Sequence, residues 1–504
     1  MSAMAPMATA VTAPLNVARV GRNTLYRVAA QAVSAVINVT GMMLLGGQLS
    51  AAGYGEYVFW YALVPLFASV ADLGAGVIVT GAIARAPHDT RRLLGDALLV
   101  RAAVAVVVLL VIAAAAWPAL GAARGLLLLC VAAAALMDFS QDAAVWASRA
   151  RERLDVEAVF LLVSQLAWLA GIAVALHAGA GLPVLIGTAA AAFALRMLAG
   201  GLWLARTGLL PRFVLDRTRL VALVIEGWPV AMSLFLVVLY GRAGVFALQA
   251  WSSASEVACF NVAYLLAQPL GFVASALAMS VFPSVARIAD TDTAGLQRML
   301  RAANKFQYIV ACPLAAGLSI TAARVVPLFF PAGAGFERAA AGLAVIALSL
   351  PFVFMNLQSR YLLAALGRQR TYLIAVAIGL AVNVAGCALF VRSHGAVGAA
   401  WTFVVAEAVV FGICQFAARA YFGDTGAATE AARPFAAAAV MAAVAVSLGP
   451  VPLALAIAVG AVTYAAALVL TGAWGASESQ SLYRVFTSFR AVRAPHASAR
   501  REPS

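Results

Sequence analysis

Ten side chains stand where this sequence is otherwise apolar, or at the edge of such runs, and their types set the chemistry on offer. Arg242 lies in "LYGRAGVFALQAW" (239–251), at the end of an apolar run that begins near Leu220, and no acid follows until Glu256. A charge at bilayer depth costs about 2.5–3.5 kcal/mol on insertion scales, so each one needs a physical reason. A planar guanidinium can grip phosphate or sugar oxygens through two parallel hydrogen bonds. The plainer reading is snorkelling, because Arg242 sits about 22 residues into its run, roughly 33 Å at helical rise. Arg196, in "AAFALRMLAGG", is too central to snorkel and either joins a ligand site or pairs with Asp138 or Glu407. Arg27 stands at the mouth of the first run and could capture an incoming anion, although its place also follows from membrane topology. Asn38, Tyr264 and Gln268 offer donors and acceptors to a hydroxyl-rich ligand, as do Gln165, Asn261, Asn356, Gln358 and Asn383. Hydrogen bonds between helices explain such amides equally well. The acids Asp138, Asp72, Glu226 and Glu407 could carry a proton or a sodium ion, or could serve in ion pairs and at helix ends. Arg101 and Arg324 read as interfacial anchors.

Nothing in the sequence reads as an enzyme. There is no metal-ligand cluster, no phosphate-cradling loop and no Gly-x-Ser-x-Gly elbow, and the four histidines (His88, His177, His394, His496) are scattered. The glycines of "GVIVTGAIAR" suit helix packing rather than a nucleotide. No cofactor is expected, so energy would come from an H+, Na+ or substrate gradient.

The elements that hold these residues are apolar spans. The hydrophobic fraction is 64% and the charged fraction 11%, against roughly 25% charged in a soluble domain. Apolar blocks split by short arginine-bearing loops predict an all-α polytopic membrane protein. Strand-based barrels, with half-apolar segments of about 10 residues, are excluded. We place spans near 24–46, 55–84, 96–117, 123–147, 156–178, 182–206, 220–246, 256–286, 304–330, 337–360, 371–392, 395–419, 433–449 and 451–473, about fourteen in all. With a cytoplasmic N-terminus, 27 of the 34 basic residues fall on the inner side, as the positive-inside rule requires. That alternation puts both termini in the cytoplasm and turns the net charge of +14 into a topological signal rather than a nucleic-acid footprint. No outer loop is long enough to house a catalytic domain, which disfavours a membrane polymerase or ligase. The five cysteines fall in or beside apolar blocks and read as core packing. The first 20 residues hold no continuous apolar core of a signal peptide.

The chain also repeats itself. "YVFWYALVPLF" (57–67) and "CFNVAYLLAQPLGF" (259–272) each place a proline four or five residues after a tyrosine, Tyr61 before Pro65 and Tyr264 before Pro269. Each copy then reaches Ala-Arg, crosses a short loop with Asp-Thr and enters another helix. The repeat predicts two six-helix lobes related by an axis along the membrane normal, with a substrate site between them. The expected organisation is a cytoplasmic segment 1–23, an N-lobe 24–206, a linker 207–219, a C-lobe 220–420, two further spans within 433–473 and a basic tail 474–504.

These segments carry a family resemblance. "GRNTLYRVAAQ", "AGYGEYVFW", "ADLGAGVIVTGAIAR", "FPSVAR", "ALGRQRTYL" and "GAVGAAWTFVVAE", in this order over about residues 20–420, resemble the bacterial oligosaccharide flippases, the Wzx-type polysaccharide-transport branch of the multidrug/oligosaccharidyl-lipid/polysaccharide exporter superfamily. The resemblance implies alternating access around a cationic cavity lined mainly by spans 1, 2, 7 and 8. It implies an undecaprenyl-diphosphate-linked oligosaccharide as cargo, moved to the periplasmic leaflet of the inner membrane for surface polysaccharide synthesis. Membrane lipids, a polysaccharide polymerase and chain-length regulators are the implied partners, with no nucleic acid. One departure stands out: relatives often carry Arg-x-Asp near the end of span 7, whereas this chain has Arg242-Ala243-Gly244. A multidrug antiporter or a peptidoglycan-precursor flippase of the same superfamily is the alternative; a drug antiporter should place a dominant acid in the cavity, a diphosphate carrier arginines.

Overall fold

The computed structural model describes residues 17–72, 74–140, 142–288, 292–331, 333–449 and 451–475. The expected N-terminal segment up to residue 16 and the tail beyond residue 475 lie outside the described residues, as do the side chains of Arg27, Asp138 and Asp142. Among the described residues the chain is helical, without strands. The helices are α1 (Val17–Gln48), α2 (Ala51–Asp72), α3 (Ala75–Arg85), α4 (Thr90–Ser140), α5 (Asp142–Ala150), α6 (Leu154–His177), α7 (Leu182–Arg206), α8 (Arg217–Trp251), α9 (Ala254–Ala267), α10 (Gly271–Ile288), α11 (Thr293–Phe329), α12 (Ala339–Ala347), α13 (Leu350–Ala365), α14 (Gln369–Phe422), α15 (Ala432–Ser447) and α16 (Leu453–Leu470). Helix is the only economical state for such apolar segments, because each satisfies its own backbone donors where no water can. Several starts are capped from the sequence. The Asp292 carboxylate accepts from Gly295 N at 2.7 Å, and the Ser253 hydroxyl accepts from Glu256 N at 3.4 Å.

Three expected single spans are broken, each beside a glycine or a proline. Residues 55–84 divide into α2 and α3 at Gly74, whose φ of 64° is left-handed. Residues 256–286 divide into α9 and α10 around one 3-10 turn, Gln268–Leu270, that contains Pro269. Residues 337–360 divide into α12 and α13, bent by 51°, where Pro351 has no N–H to return to Ala347. Conversely, α14 contains two spans. Its 54 residues would run about 81 Å straight, but Gly395 has φ 54° and ψ −133°, and Gly386 faces Thr402 while Gly379 faces Val410, so the halves lie antiparallel. Gly121, at φ 71°, interrupts α4 in the same way. Among the described residues nine helices are long and apolar enough to cross a membrane, and the bent pair α12–α13 makes a tenth. The second half of α14, the α2–α3 pair and two shorter apolar helices, Arg124–Ala135 and Ala432–Ser447, bring the total to the expected fourteen.

Helices α1, α2, α4, α6 and α7 pack on one another, and α8 through α14 do the same. Between the two groups, α2 lies along α8 and α9. The join is concentrated at the end away from the arginine-rich loops. There Tyr54 is fully buried, accepts a hydrogen bond from Asn261 Nδ2 at 3.0 Å, and meets the edges of Phe330 and Phe336 at 5.9 and 5.5 Å. Ala51 N also donates to the Ala334 carbonyl across the join at 3.3 Å. Toward the arginine-rich end the apolar core separates, one part around Trp146, Phe160 and Leu204, another around Val285, Leu296 and Leu362. The space left between them is where the cavity lies.

The last two helices form a hairpin against α11, where Tyr464 Oη donates to the Ile309 carbonyl at 2.9 Å. Arg324, expected as an interfacial anchor, instead closes the tight α15–α16 turn. Its guanidinium donates to the carbonyls of Val451 at 2.9 Å and Gly449 at 3.1 Å.

Candidate functional site

The cavity is built where helices of both groups lose regularity. Pro65 sits inside α2, and Pro269 forces the 3-10 turn between α9 and α10. A proline leaves its ring where an N–H would be and frees the carbonyl one turn earlier, so the helix bends and polar groups turn toward the gap. The result is a cavity of about 370 Å³ walled by Gln31, Ser34 and Asn38 of α1, Tyr61 of α2, Gln165 of α6, Phe193 of α7, Arg242 of α8, and Gln268 with Phe272 beyond α9. A smaller chamber of about 50 Å³ continues from it, sharing Asn38, Tyr61, Arg242 and Gln268 and adding Asn261 and Tyr264.

Its walls are fixed by aromatic packing. Tyr61 stacks on Tyr57 at 5.6 Å and leans on Trp168 at 6.3 Å, while Trp168 Nε1 donates to Tyr57 Oη at 3.3 Å. On the facing wall Tyr264 stacks on Phe260 at 6.2 Å and meets the edge of Phe403 at 5.8 Å. Rings held this way present a face and a hydroxyl without losing rotamer freedom on binding, a favourable surface for a sugar ring.

Arg242 lies where the two chambers meet. It is half-buried, and among the described residues it has no hydrogen-bond or ion-pair partner; the Tyr264 phenol lies within electrostatic reach of both Arg242 and Glu407. The fork of five N–H donors is therefore available to a ligand. Four of the six residues singled out as binding candidates, Arg242, Asn38, Tyr264 and Gln268, converge here. Arg196 does not line either chamber; it is half-buried on α7, and its Nε is buried without a hydrogen-bond partner. The backbone of Arg27 lies on α1, with its side chain outside the described residues.

The acids are dispersed. Asp72 pairs with Arg101 at 3.3 Å, and the Arg101 guanidinium lies over the Trp146 ring at 4.9 Å. Arg101, expected as an interfacial anchor, is thus only 3% exposed and ties α2 to α4. Glu407 is buried among neutral partners: Tyr240 Oη donates to Oε1 at 2.8 Å and Asn356 Nδ2 to Oε2 at 2.7 Å. The expected alternative partner for Arg196 is therefore already engaged elsewhere. Glu226 is exposed on α8, and the side chain of Asp138 lies outside the described residues. Asn383 is bound up with Cys387 and Thr402, and Gln358 with Asn304.

Gln31, Ser34, Tyr61, Phe193 and Phe272 were not singled out from sequence as lining residues. For Tyr61 the signal existed: both repeated tyrosine–proline pairs, Tyr61 with Pro65 and Tyr264 with Pro269, border the two chambers.

A second hollow shares a wall with the first. About 660 Å³ in volume, it runs between α1 and α10 and is lined by Ala32, Val36, Met43, Leu266, Val273, Met279 and Phe329 among others. Gln31, Ala35, Val39, Leu265, Pro269 and Phe272 border both. A polar chamber and an apolar groove thus stand back to back across one layer of side chains.

A comparison with curated protein sequences finds no match. The fold is similar to that of the lipid II flippase MurJ in an inward closed conformation, at 12% identity with a TM-score of 0.75, covering 89% of this chain and 98% of the other. It is also similar to a multidrug resistance MATE family transporter of the MOP superfamily in an inward-facing conformation, at 17% identity and TM-score 0.62, covering 77% and 95%. The MATE transporter VcmN of Vibrio cholerae matches at 16% identity and TM-score 0.56, covering 81% and 98%. At the level of sequence, the family model for polysaccharide biosynthesis proteins matches residues 20–289. With that match over more than half of its length, the chain belongs to the polysaccharide biosynthesis protein family.

Proposed function

We propose that this protein is a flippase that carries an undecaprenyl-diphosphate-linked oligosaccharide from the cytoplasmic to the periplasmic leaflet of a bacterial inner membrane, by alternating access of its two lobes. The observation that carries this reading is the pairing of the two hollows. An amphipathic cargo needs a polar chamber for its headgroup and an apolar groove for its tail, in contact along their length. The α1–α10 groove supplies apolar surface on one side of the shared wall, and the chamber supplies Arg242 with amides and phenols on the other. In this reading Arg242 holds the diphosphate through charge-assisted hydrogen bonds. Asn38, Gln165 and Gln268 serve sugar hydroxyls, and Tyr61 and Tyr264 pack against sugar rings. The join at Tyr54, Phe330 and Phe336 is the seal that must open to release the cargo on the far side. The described lining of the chamber is made of binding groups, a guanidinium, amides and phenols, which suits a carrier.

A multidrug antiporter is less well supported, since an acid would be expected in the chamber and the described lining has none. A peptidoglycan-precursor flippase shares the diphosphate-lipid chemistry, and the likeness to the lipid II flippase favours it as the second reading. The test is deletion of the gene in its own host followed by extraction of lipid-linked intermediates. Build-up of an undecaprenyl diphosphate-oligosaccharide with loss of a surface polysaccharide is expected. Build-up of the peptidoglycan precursor would move the assignment to the second reading, and normal intermediates with sensitivity to cationic drugs would overturn both.

A further inference from the structure

The segment between α7 and α8, residues 207–216, has one side fastened and the other bare. On the fastened side Leu209 is buried, Arg212 N donates to the Arg91 carbonyl at 2.7 Å, Arg91 Nε donates to the Leu210 carbonyl at 3.1 Å, and Arg92 pairs with Asp216 at 3.0 Å. Gly95 of α4 lies directly beneath the Arg212 carbonyl, so the strand of chain is laid flat on the start of α4. On the bare side Phe213 is 60% exposed and Leu215 is 85% exposed, with Leu210 also exposed. The exposed arginines Arg206, Arg212, Arg217 and Arg219 stand around them, and the acid of the segment, Asp216, is already engaged by Arg92 and Arg219.

Position decides what covers this face. The bare side continues onto α7 and α8, whose outward residues Leu198, Leu202, Val221 and Ile225 are exposed apolar side chains of membrane-crossing helices. Phe213 and Leu215 therefore sit level with the end of the hydrocarbon, ringed by cations, the arrangement of an interfacial anchor. We propose that residues 206–219 form a strap that binds anionic lipid headgroups, with Phe213 and Leu215 inserted beside the acyl chains and Arg206, Arg212 and Arg217 on the phosphates. Each cation near such a surface adds attraction for anionic lipid, and the apolar insertion fixes depth. Because the strap joins the two helix groups, the lipid holds the pivot between them at a fixed height in the membrane.

The test is hydrogen–deuterium exchange of the full chain in nanodiscs of phosphatidylcholine alone and of phosphatidylcholine mixed with phosphatidylglycerol. Amides of residues 207–216 should exchange roughly a hundredfold more slowly in the mixed bilayer, given three cations engaged. Exchange in α6 and α11 should be the same in both. Combined Phe213→Ser and Leu215→Ser, and separately combined Arg206→Gln, Arg212→Gln and Arg217→Gln, should each erase the difference while α6 and α11 stay protected. Equal exchange of the strap in the two bilayers overturns the proposal, as does a lipid response that survives both sets of substitutions.

Discussion

Arg101 and Arg242 are the same residue type placed in long apolar helices of the same protein, and their surroundings give them opposite uses. Arg101, in α4, is nearly inaccessible; Asp72 neutralises it at 3.3 Å and the Trp146 face covers it. Arg242, in α8, faces two chambers, and no described acid pairs with it. A buried guanidinium beside a carboxylate and a ring is consumed by the fold. A guanidinium facing open volume keeps its donors for something that arrives. What separates a structural charge from a functional one here is therefore the partner and the space, rather than depth in the membrane or helix composition.

The largest effect that would break this contrast is on stability. Arg101→Ala should leave Asp72 without its cation in a mostly buried place, a loss of about 3–5 kcal/mol. Thermal unfolding in detergent should show a clearly lowered midpoint, with low abundance in cells. Adding Asp72→Asn to that change should recover part of the loss, because the uncompensated charge is then gone. If Arg101→Ala unfolded like the unsubstituted protein, the ion pair would not be structural and the contrast would fail.

Arg242→Ala should do the reverse. Unfolding and abundance stay unchanged, while export of the lipid-linked glycan falls roughly ten- to a hundredfold, the worth of one hydrogen-bonded charge at about 1.5–3 kcal/mol. Arg242→Lys should restore only part, since an ammonium cannot bond bidentately. Full restoration by lysine would return Arg242 to the snorkelling class, in which any cation at that height suffices. The assay is the level of surface polysaccharide in a strain whose own copy is deleted.

The helical, fourteen-span architecture was legible because it rests on residue-by-residue properties: apolar length sets the spans and arginine placement sets the loops. Part of the chamber was legible too, since an arginine without a nearby acid and a repeated tyrosine–proline pair can both be read along the chain. The rest depended on neighbours that sequence does not bring together. Asp72 and Arg101 lie on different helices, so each alone read as a candidate carrier or an anchor. Tyr54 bonds to Asn261 across the lobe join, and nothing in "AGYGEYVFW" shows which residue it will meet. The breaks at Gly74 and Gly395 were hidden for another reason. The chain holds 40 glycines, and glycine is common inside membrane helices, so its presence does not mark where the backbone turns.

Glu407 offers a middle case, a buried carboxyl group satisfied by neutral groups. Tyr240→Phe removes one of its two side-chain donors and should cost about 1–2 kcal/mol in stability. If the Glu407 carboxylate is only a structural acceptor, export should fall no more than abundance does. A loss of export that exceeds the loss of protein would give Glu407 a part in the transport cycle and place it beside Arg242 rather than Arg101. Glycan export normalised to membrane abundance separates the two.

Arg324 supplies the smallest effect and sharpens the contrast from its other end. Like Arg101 it is held by partners within the chain, but these are the carbonyls of Gly449 and Val451 at an exposed turn. Water can replace an exposed donor, so Arg324→Gln should change the unfolding midpoint by less than about 1 kcal/mol equivalent. The local consequence should still be measurable: Gly449 holds a left-handed φ of 65° at the tip of the hairpin, and without the clamp amide exchange across residues 447–453 should quicken while α11 stays protected. Export should be unchanged, because the hairpin packs on α11 and lines neither chamber. A loss of export on releasing this turn would mean that an occupied arginine far from the chamber controls transport, and occupancy would then no longer distinguish structural arginines from functional ones.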